Sequence, residues 1–255
     1  MNIAVCVKQV IDTEAVIELD SDGAVVRDGQ KFVIDPYSEF AVEKAVQLKE
    51  AFGGEITVVT VGDQGCAPVV RHALAMGADK AIIVEDEKWP ENDAAVCAAQ
   101  LAEVIKGLDA NLVMGGWKSG DTANAQKMGR IASILNIPLA NMVTDLDING
   151  TTAVATCEVD DGLMISELTL PIAVAAQQGL AEPRYPSVRD VMHARRKSIE
   201  IRSAAELPLP DLNGGLHVVS RELKPAREGG HIIEGSVEDA VKETARLLRD
   251  EAKVL

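Results

Sequence analysis

Residues 111–138 read NLVMGGWKSGDTANAQKMGRIASILNIP. An apolar run, residues 112–114, ends in Gly115 and Gly116, and a polar turn, residues 118–124, follows. Ser119, Gly120, Asp121, Thr122, Ala123, Asn124, Ala125 and Gln126 carry small or polar side chains up to a stretch with apolar positions at Met128, Ile131, Ala132 and Leu135. That spacing predicts a strand, a glycine break and a helix start, with Asn136 and Pro138 as its stop. Such a junction brings free backbone N–H groups and a positive dipole end to one point. An open α/β sheet binds phosphate groups there. The pattern Gly-Gly-x-x-x-Gly is neither the dinucleotide fingerprint nor a Walker A loop, and a plain βα turn also carries glycines for geometry alone. Both readings stay open on the pattern.

A second set of candidates lies at the N-terminus. Residues 2–10 form a nearly continuous apolar run, suited to a central parallel strand, and Lys8, Gln9, Asp12 and Thr13 mark its carboxyl end. Parallel sheets bind ligands at that edge, so Lys8 is equally readable as a ligand contact or a surface lysine.

Little else in the chain offers bond-making chemistry. His72, His193, His217 and His231 stand at no metal-ligand spacing from one another. Cys6, Cys66, Cys97 and Cys157 form no CxxC; Cys6 and Cys97 sit in apolar patterns as small buried side chains, which fits a reducing compartment. Hydrolase, zincin and kinase motifs are absent from the sequence, so a nucleotide-binding or carrier role gains over a hydrolase.

The elements that must hold these residues alternate regularly up to Pro138. Residues 16–26 read as a hairpin turning at Ser21-Asp22-Gly23, and residues 31–34 as a further short piece. Asp35 then caps a helix with Pro36 in its first turn and Tyr37, Phe40, Ala41, Ala45 and Leu48 on its buried face. Strands at residues 55–61 and 80–84 alternate with helices at residues 67–76 and from Asn92 or Asp93 to Ile105; an acidic loop carrying Trp89 lies between. This βαβαβαβα order predicts a doubly wound parallel sheet. Beyond it, residues 139–147, 151–159, 163–170 and 172–177 read as strands without helices between them, an added antiparallel piece with turns at Asn149-Gly150 and Asp161-Gly162. A loop, residues 179–187, and a short basic helix, residues 188–197, come next. Residues 203–235 have little periodicity and read as an extended arm. A final helix starts at Ser236, with Asp239 completing a capping box and Val237, Ala240, Val241, Leu247 and Leu248 as its stripe. It docks on a partner chain or packs back on its own domain; the pattern leaves both open.

Composition sets the outer bounds. The chain has 255 residues, 25% charged and 47% hydrophobic, as for a globular protein with a large core. Aromatics make up 3%, so aliphatic side chains must fill that core. A net charge of −15 argues against nucleic acid and acidic membrane surfaces as partners, and Arg195-Arg196-Lys197 is too short a cluster to reverse that field. The N-terminal stretch lacks the features of a signal peptide, and no run approaches a membrane span, so a cytoplasmic location is expected.

With these pieces in order, the chain resembles the β subunit of electron transfer flavoprotein over nearly its full length. The matching pieces are residues 5–12 (VCVKQVID), Asp35-Pro36-Tyr37, residues 75–80 (AMGADK), the loop and helix of residues 116–138, and residues 180–185 (LAEPRY) with 192–197 (MHARRK). The resemblance implies a heterodimer with an α subunit that holds most of a redox-active FAD, and an AMP buried in the doubly wound domain. It implies that Cys6, Lys8, Asp35, Pro36, Tyr37, Ser38, Val61, Gly62, Gly116 and the run from Ser119 to Gly129 line the AMP pocket, with Thr13 and Tyr37 approaching the flavin. Residues 182–197 match the family's recognition loop for partner dehydrogenases: Glu182, Tyr185, Val188 as the apolar anchor where leucine is usual, and Arg195 and Arg196 as steering charges or a solvated helix face. Residues 1–202 would form the nucleotide-binding domain, and residues 203–255 the arm that embraces the α subunit. Met128 replaces a usual glycine, with Lys127 before it, and Thr122 and Ala123 replace acidic or glycine positions. Electron-bifurcating members hold a second FAD in place of AMP; Asp12-Thr13 is similar to theirs, but the 121–128 loop is not. The expected function is an electron carrier that accepts electrons from dehydrogenases and passes them to a redox partner. The alternatives are a bifurcating β subunit and a stand-alone adenine-nucleotide sensor.

Overall fold

The structure is a computed structural model that describes residues 1–88, 93–209, 218–225 and 229–255. The N-terminal apolar run divides in two, where the sequence predicts one strand. Strand β1 (Asn2–Cys6) enters the large sheet, and β2 (Gln9–Ile11) pairs antiparallel with β3 (Phe32–Ile34) in a separate ribbon. The break falls at Lys8, whose N–H donates to Ser38 Oγ and whose carbonyl accepts from the Asp35 N–H. Those bonds turn the backbone out of the ladder. The hairpin of residues 16–26 is held by one bridge, Leu19 with Val25, and Gly23 takes a φ of 75° at its turn.

Helices and parallel strands then alternate as the apolar periodicity requires: α1 (Pro36–Phe52), β4 (Glu55–Gly62), α2 (Ala67–Met76), β5 (Lys80–Glu85), α3 (Ala94–Lys106), β6 (Leu112–Gly116) and α4 (Lys127–Leu135). Asp35 caps α1 and Pro36 opens it; Asp93 caps α3 by accepting from the Ala95 and Val96 N–H groups. Trp89 and the other candidate cap, Asn92, lie outside the described residues.

Strands β7 (Leu139–Asn149), β8 (Thr152–Val159) and β9 (Gly162–Thr169) pair antiparallel in succession. The expectation that β10 (Ile172–Ala176) belongs to this antiparallel piece is corrected: it lies between β6 and β7, parallel to both. All five of its residues are buried, and only an interior strand covers both faces of such a run. After α5 (Val188–Ala194), β11 (Glu200–Ser203) joins the other edge, parallel to β5; no apolar run announces it. The order is β11-β5-β4-β1-β6-β10-β7-β8-β9, and the winding reverses at β1.

Two aliphatic layers cover the sheet. Val42, Val46, Val70 and Leu74 of α1 and α2 pack on Ile3, Val5, Ile56 and Val58. On the opposite face, Ala98, Leu101, Ile105 and Ile131 of α3 and α4 pack on Ala4, Val59 and Ile82. The last helix, α6 (Val237–Arg246), runs on into a π turn at residues 247–251 and buries none of its residues. Among the described residues, no helix is long and apolar enough to cross a membrane.

Candidate functional site

The carboxyl ends of β1 and β6 lie side by side, with Cys6 opposite Gly115, where the strand order reverses. This is the crevice at which doubly wound sheets bind ligands. An open cleft lies beyond these strand ends. Its apolar wall is made by Val61, Leu101, Met128 and Ile131, and its polar wall by Lys8, Asp35, Ser38 and residues 118–119 and 124–127.

Close approach requires glycine at Gly116 and crowds Gly115 against a flexible side chain. A Cβ on Gly116 would stand 2.6 Å from Tyr37 Cβ, and one on Gly115 would stand 2.6 Å from Met128 Sδ. The strand end is thus wedged between the starts of α1 and α4. Beyond it, Ala123 and Ala125 hold φ values of 48° and 51°, which non-glycine residues seldom adopt. The loop so bent reaches α4 with the N–H groups of Ala125, Gln126 and Lys127 unpartnered among the described residues. Three donors at a helix start, beside the Lys127 side chain, make an anion cradle.

Asp35 ties this loop to α1. One carboxylate oxygen accepts from Ser38 N–H at 3.2 Å and the other from Gly120 N–H at 2.8 Å. Asp35 is buried, which pushes its pKa above the usual carboxylate value, while these bonds and the Lys8 charge pull it back. Lys8 Nζ donates to Ser119 Oγ at 3.1 Å, Asp121 Oδ1 at 2.5 Å and Thr122 Oγ1 at 3.2 Å. Burial, then the nearby Lys127 ammonium, lower the Lys8 pKa against the pull of Asp121. For Asp121, burial acts upward, but the Lys8 charge and the bonds from Lys8, Ser119 and Thr122 outweigh it, so its pKa falls below the usual value. Burial pushes the Cys6 thiol up to about 12, so it is no thiolate nucleophile.

The structure brings Cys6, Lys8, Asp35, Ser38, Val61, Gly116, Ser119, Asn124, Ala125 and Gln126 to the cleft wall. Asp121 and Thr122 reach it through Lys8, and Thr13 lies beside Gly120. Tyr37 packs edge-on against Trp117, ring centres 6.0 Å apart, with the Lys118 ammonium 5.5 Å from the Tyr37 ring and 4.6 Å from that of Trp117. Pro36, Gly62, Ala123 and Gly129 do not line the cleft: Pro36 opens α1, Gly62 ends β4, Ala123 bends the loop, and Gly129 faces a groove between α3 and α4. Sequence reasoning passed over Thr60, Leu101, Trp117 and Lys118 as wall residues. Trp117 and Lys118, directly after the glycines, carried a signal; Thr60 and Leu101 carried none beyond strand and helix periodicity.

Glu182, Tyr185, Val188, Arg195 and Arg196 are all exposed, on a segment pinned at both ends. Arg184 forks onto Glu43 at 2.8 and 2.9 Å and onto Glu50 at 2.6 and 3.1 Å. Arg71 donates to the carbonyls of Ala194, Arg195 and Lys197 at the far end of α5. Ser187 and Asp190 form a full capping box at the start of α5, unread in the sequence. At Ser236 only half of the expected box forms: Ser236 Oγ accepts from the Asp239 N–H. Tyr185 and Val188, 99% and 82% exposed, are therefore presented on a fixed frame. Among the described residues no group of His, Cys, Asp and Glu side chains is arranged to hold a metal ion.

Comparison with known proteins places this geometry in a family. The sequence model of the electron transfer flavoprotein domain matches residues 22–207. The electron transfer flavoprotein subunit beta of Bacillus subtilis is 38% identical, with 100% of both chains covered. That of Syntrophomonas wolfei is 36% identical over 100% of this chain and 98% of its own, and that of Megasphaera elsdenii 32% over 94% and 93%. The C-terminal arm, beyond the reach of the family model, is spanned by the first two of these alignments. The chain belongs to the electron transfer flavoprotein family, as a relative of its β subunits.

Proposed function

We propose that the chain is the β subunit of a heterodimeric electron carrier. In this reading it holds AMP in the β1/β6 cleft and supports an FAD bound mainly by its α subunit. One juxtaposition carries the reading: the unpartnered N–H groups at the start of α4 face the same cleft as Lys8, beside the apolar wall of Val61, Leu101 and Ile131. A phosphate fits the donors and an adenine ring fits the wall. Residues 119–126 would hold the phosphate, and Asp35 keeps that loop on α1. Thr13 and Tyr37 would face the flavin of the neighbouring subunit. The flavin, when bound, supplies electron acceptance and release. The chain's own part is to bind, orient and shield, and no residue has to donate or abstract a proton. The segment of residues 182–197 would dock the electron-donating dehydrogenases through Val188 and Tyr185, with Arg195 and Arg196 steering encounter. Residues 203–255 would dock on the α subunit.

The test is to co-express the chain with its α subunit, purify the complex and count the nucleotides released on denaturation. One FAD and one AMP per one-to-one yellow complex is the expected result. Two FAD would establish the bifurcating reading that Asp12-Thr13 favours. A chain that binds AMP but forms no flavoprotein complex would be the stand-alone sensor, and a complex without a nucleotide in the cleft would refute the AMP assignment.

A further inference from the structure

Trp117 stands directly after the two glycines that end β6, and it forms part of the cleft wall. Its backbone N–H donates to the Ala176 carbonyl at 3.0 Å, which ties it to the end of β10. The residue after that strand, Gln177, then meets the indole. Trp117 Nε1 donates to Gln177 Oε1 at 2.8 Å, and the Gln178 N–H donates to the same oxygen at 2.9 Å. Both groups are donors only, so the atom between them must be the amide oxygen. The amide nitrogen is thereby turned the other way, where it donates to Glu158 Oε2 of β8 at 2.8 Å. A reversed amide would set donors against donors at one end and two acceptors together at the other. Glu158, Gln177 and Trp117 thus form one line from the antiparallel extension to the cleft, and it can run in only one direction. At the cleft end the Tyr37 ring stands edge-on to the indole, and the Lys118 ammonium lies 4.6 Å from its centre. A turned indole would shift Lys118, and with it the start of the loop at residues 119–126.

We propose that Gln177 is a positioning residue for the nucleotide cleft: it fixes the Trp117 ring, and Glu158 fixes the Gln177 amide. This rests on the reading of the cleft as an AMP site. Gln177 is not among the residues that line the cleft, so it acts through the indole. Among the described residues its oxygen is the only acceptor of the indole N–H. Without it a half-buried donor is left unpaired and turns toward water, taking the wall of the cleft with it.

The test uses the full-length chain with Trp89→Phe, so that Trp117 is its single indole. AMP affinity is read by equilibrium dialysis and the indole by its emission, with thermal unfolding as the control. Gln177→Leu keeps nearly the same size and removes both side-chain bonds. It should weaken AMP binding about tenfold and move the emission to longer wavelength, with the unfolding temperature little changed. Gln177→Glu keeps an oxygen for Trp117 but sets a second carboxylate against Glu158, so its affinity should stay several-fold below the wild type. Adding Glu158→Gln to it exchanges the two groups across the same contact. That double variant should recover the wild-type emission and bind AMP to within about threefold of the wild type. Wild-type affinity in Gln177→Leu, or a double variant no better than Gln177→Glu alone, would overturn the inference and leave the AMP reading standing. So would an emission that does not move in Gln177→Leu, which is read without nucleotide. A wild-type chain that takes up no AMP would instead bring down the reading beneath, and this inference with it.

Discussion

Helices α1 and α6 are written in the same local code. Each begins at a side-chain cap and each carries an apolar stripe, yet α1 buries seven of its residues and α6 buries none. The difference is tertiary. The stripe of α1 meets β1, β4 and β6, so its burial is complete within one chain. Val237 and Val241 of α6 remain 83% and 61% exposed. No described residue of the arm from residue 218 onward is buried. The same division separates the cleft, where the side chains of Lys8, Asp35, Ser119 and Asp121 are hydrogen-bonded within the chain, from the 182–197 segment and the β9 edge, whose apolar groups face outward. The inner region is complete as a folded unit; the outer one keeps its apolar groups at the surface.

The sharpest way to break that contrast is to cut one frame that joins the two regions. Glu43 is 3% exposed, and its charge is answered by Arg184. Arg184→Ala leaves that carboxylate buried without its counter-charge, bonded to the Gln47 amide and the backbone N–H of residue 184 alone. Because the arginine itself is 36% exposed, the expected loss lies below the range for fully buried pairs, about 2–3 kcal/mol in urea unfolding. Residues 185–193 should become protease-sensitive at the same time. Truncation after Leu209 is the opposing experiment. It removes far more chain, but it should change the stability of the isolated protein by less than about 0.5 kcal/mol.

Asp35 comes next. Asp35→Ala removes the cap of α1 and the acceptor that holds Gly120, together about 2 kcal/mol. AMP affinity should fall with it, since the loop loses its tether. Asp35→Asn keeps an oxygen acceptor in place and should recover part of both losses, measured by denaturant unfolding and by titration calorimetry with AMP.

The loop glycines sharpen the comparison further. Gly116→Ala should cost about 1–2 kcal/mol, because the new methyl meets Tyr37 Cβ and the Lys118 carbonyl at 2.6 and 2.9 Å. Gly120→Ala should be near neutral, since its nearest atom would be Asp35 Oδ1 at 3.7 Å. Thermal unfolding of both variants reads the contrast between a wedged strand end and an open loop.

How much of this is legible without coordinates follows the range of the interactions. The cap at Asp35 and the parallel run to Pro138 are local, and they stand in the structure as the residues dictate. The place of β10 is not local: IAVAA fits any interior strand, and only its pairing with β6 and β7 decides it. β11 fails for a related reason, since Glu-Ile-Arg-Ser is a strand only because β5 offers it an edge. In the candidate site, the small and polar loop was readable. That Asp35 bridges to Gly120, 85 positions away, was not, nor that Lys127 sits close enough to lower the Lys8 pKa. The family resemblance supplied residues such as Val61 that no pattern singles out. It also carried in Gly62 and Gly129, which do not line the cleft.

The smallest expected effect is electrostatic and tests whether the cleft is as self-contained as its hydrogen bonds make it. Asp121 has a folded-state pKa below its unfolded value, owing chiefly to Lys8 once burial is overcome. A depressed carboxylate contributes stability that is complete above the unfolded pKa, near 3.9, and is lost as pH falls through the lower folded value. The neighbouring Asp35 has the opposite sign: its raised pKa means that protonation on acidification relieves a burial penalty, so its contribution grows as pH falls through the folded value. The two therefore partly offset each other in the wild-type acid limb. Asp121→Asn removes only the first, so its unfolding free energy should fall less steeply with acid below about pH 4 than that of the wild type. At neutral pH the variant should lose little, because Asp121 is 38% exposed and solvent screens its pair with Lys8. Unfolding curves between neutrality and pH 3 would read this, and parallel acid limbs for the two proteins would mean that the Lys8–Asp121 contact does not persist in solution.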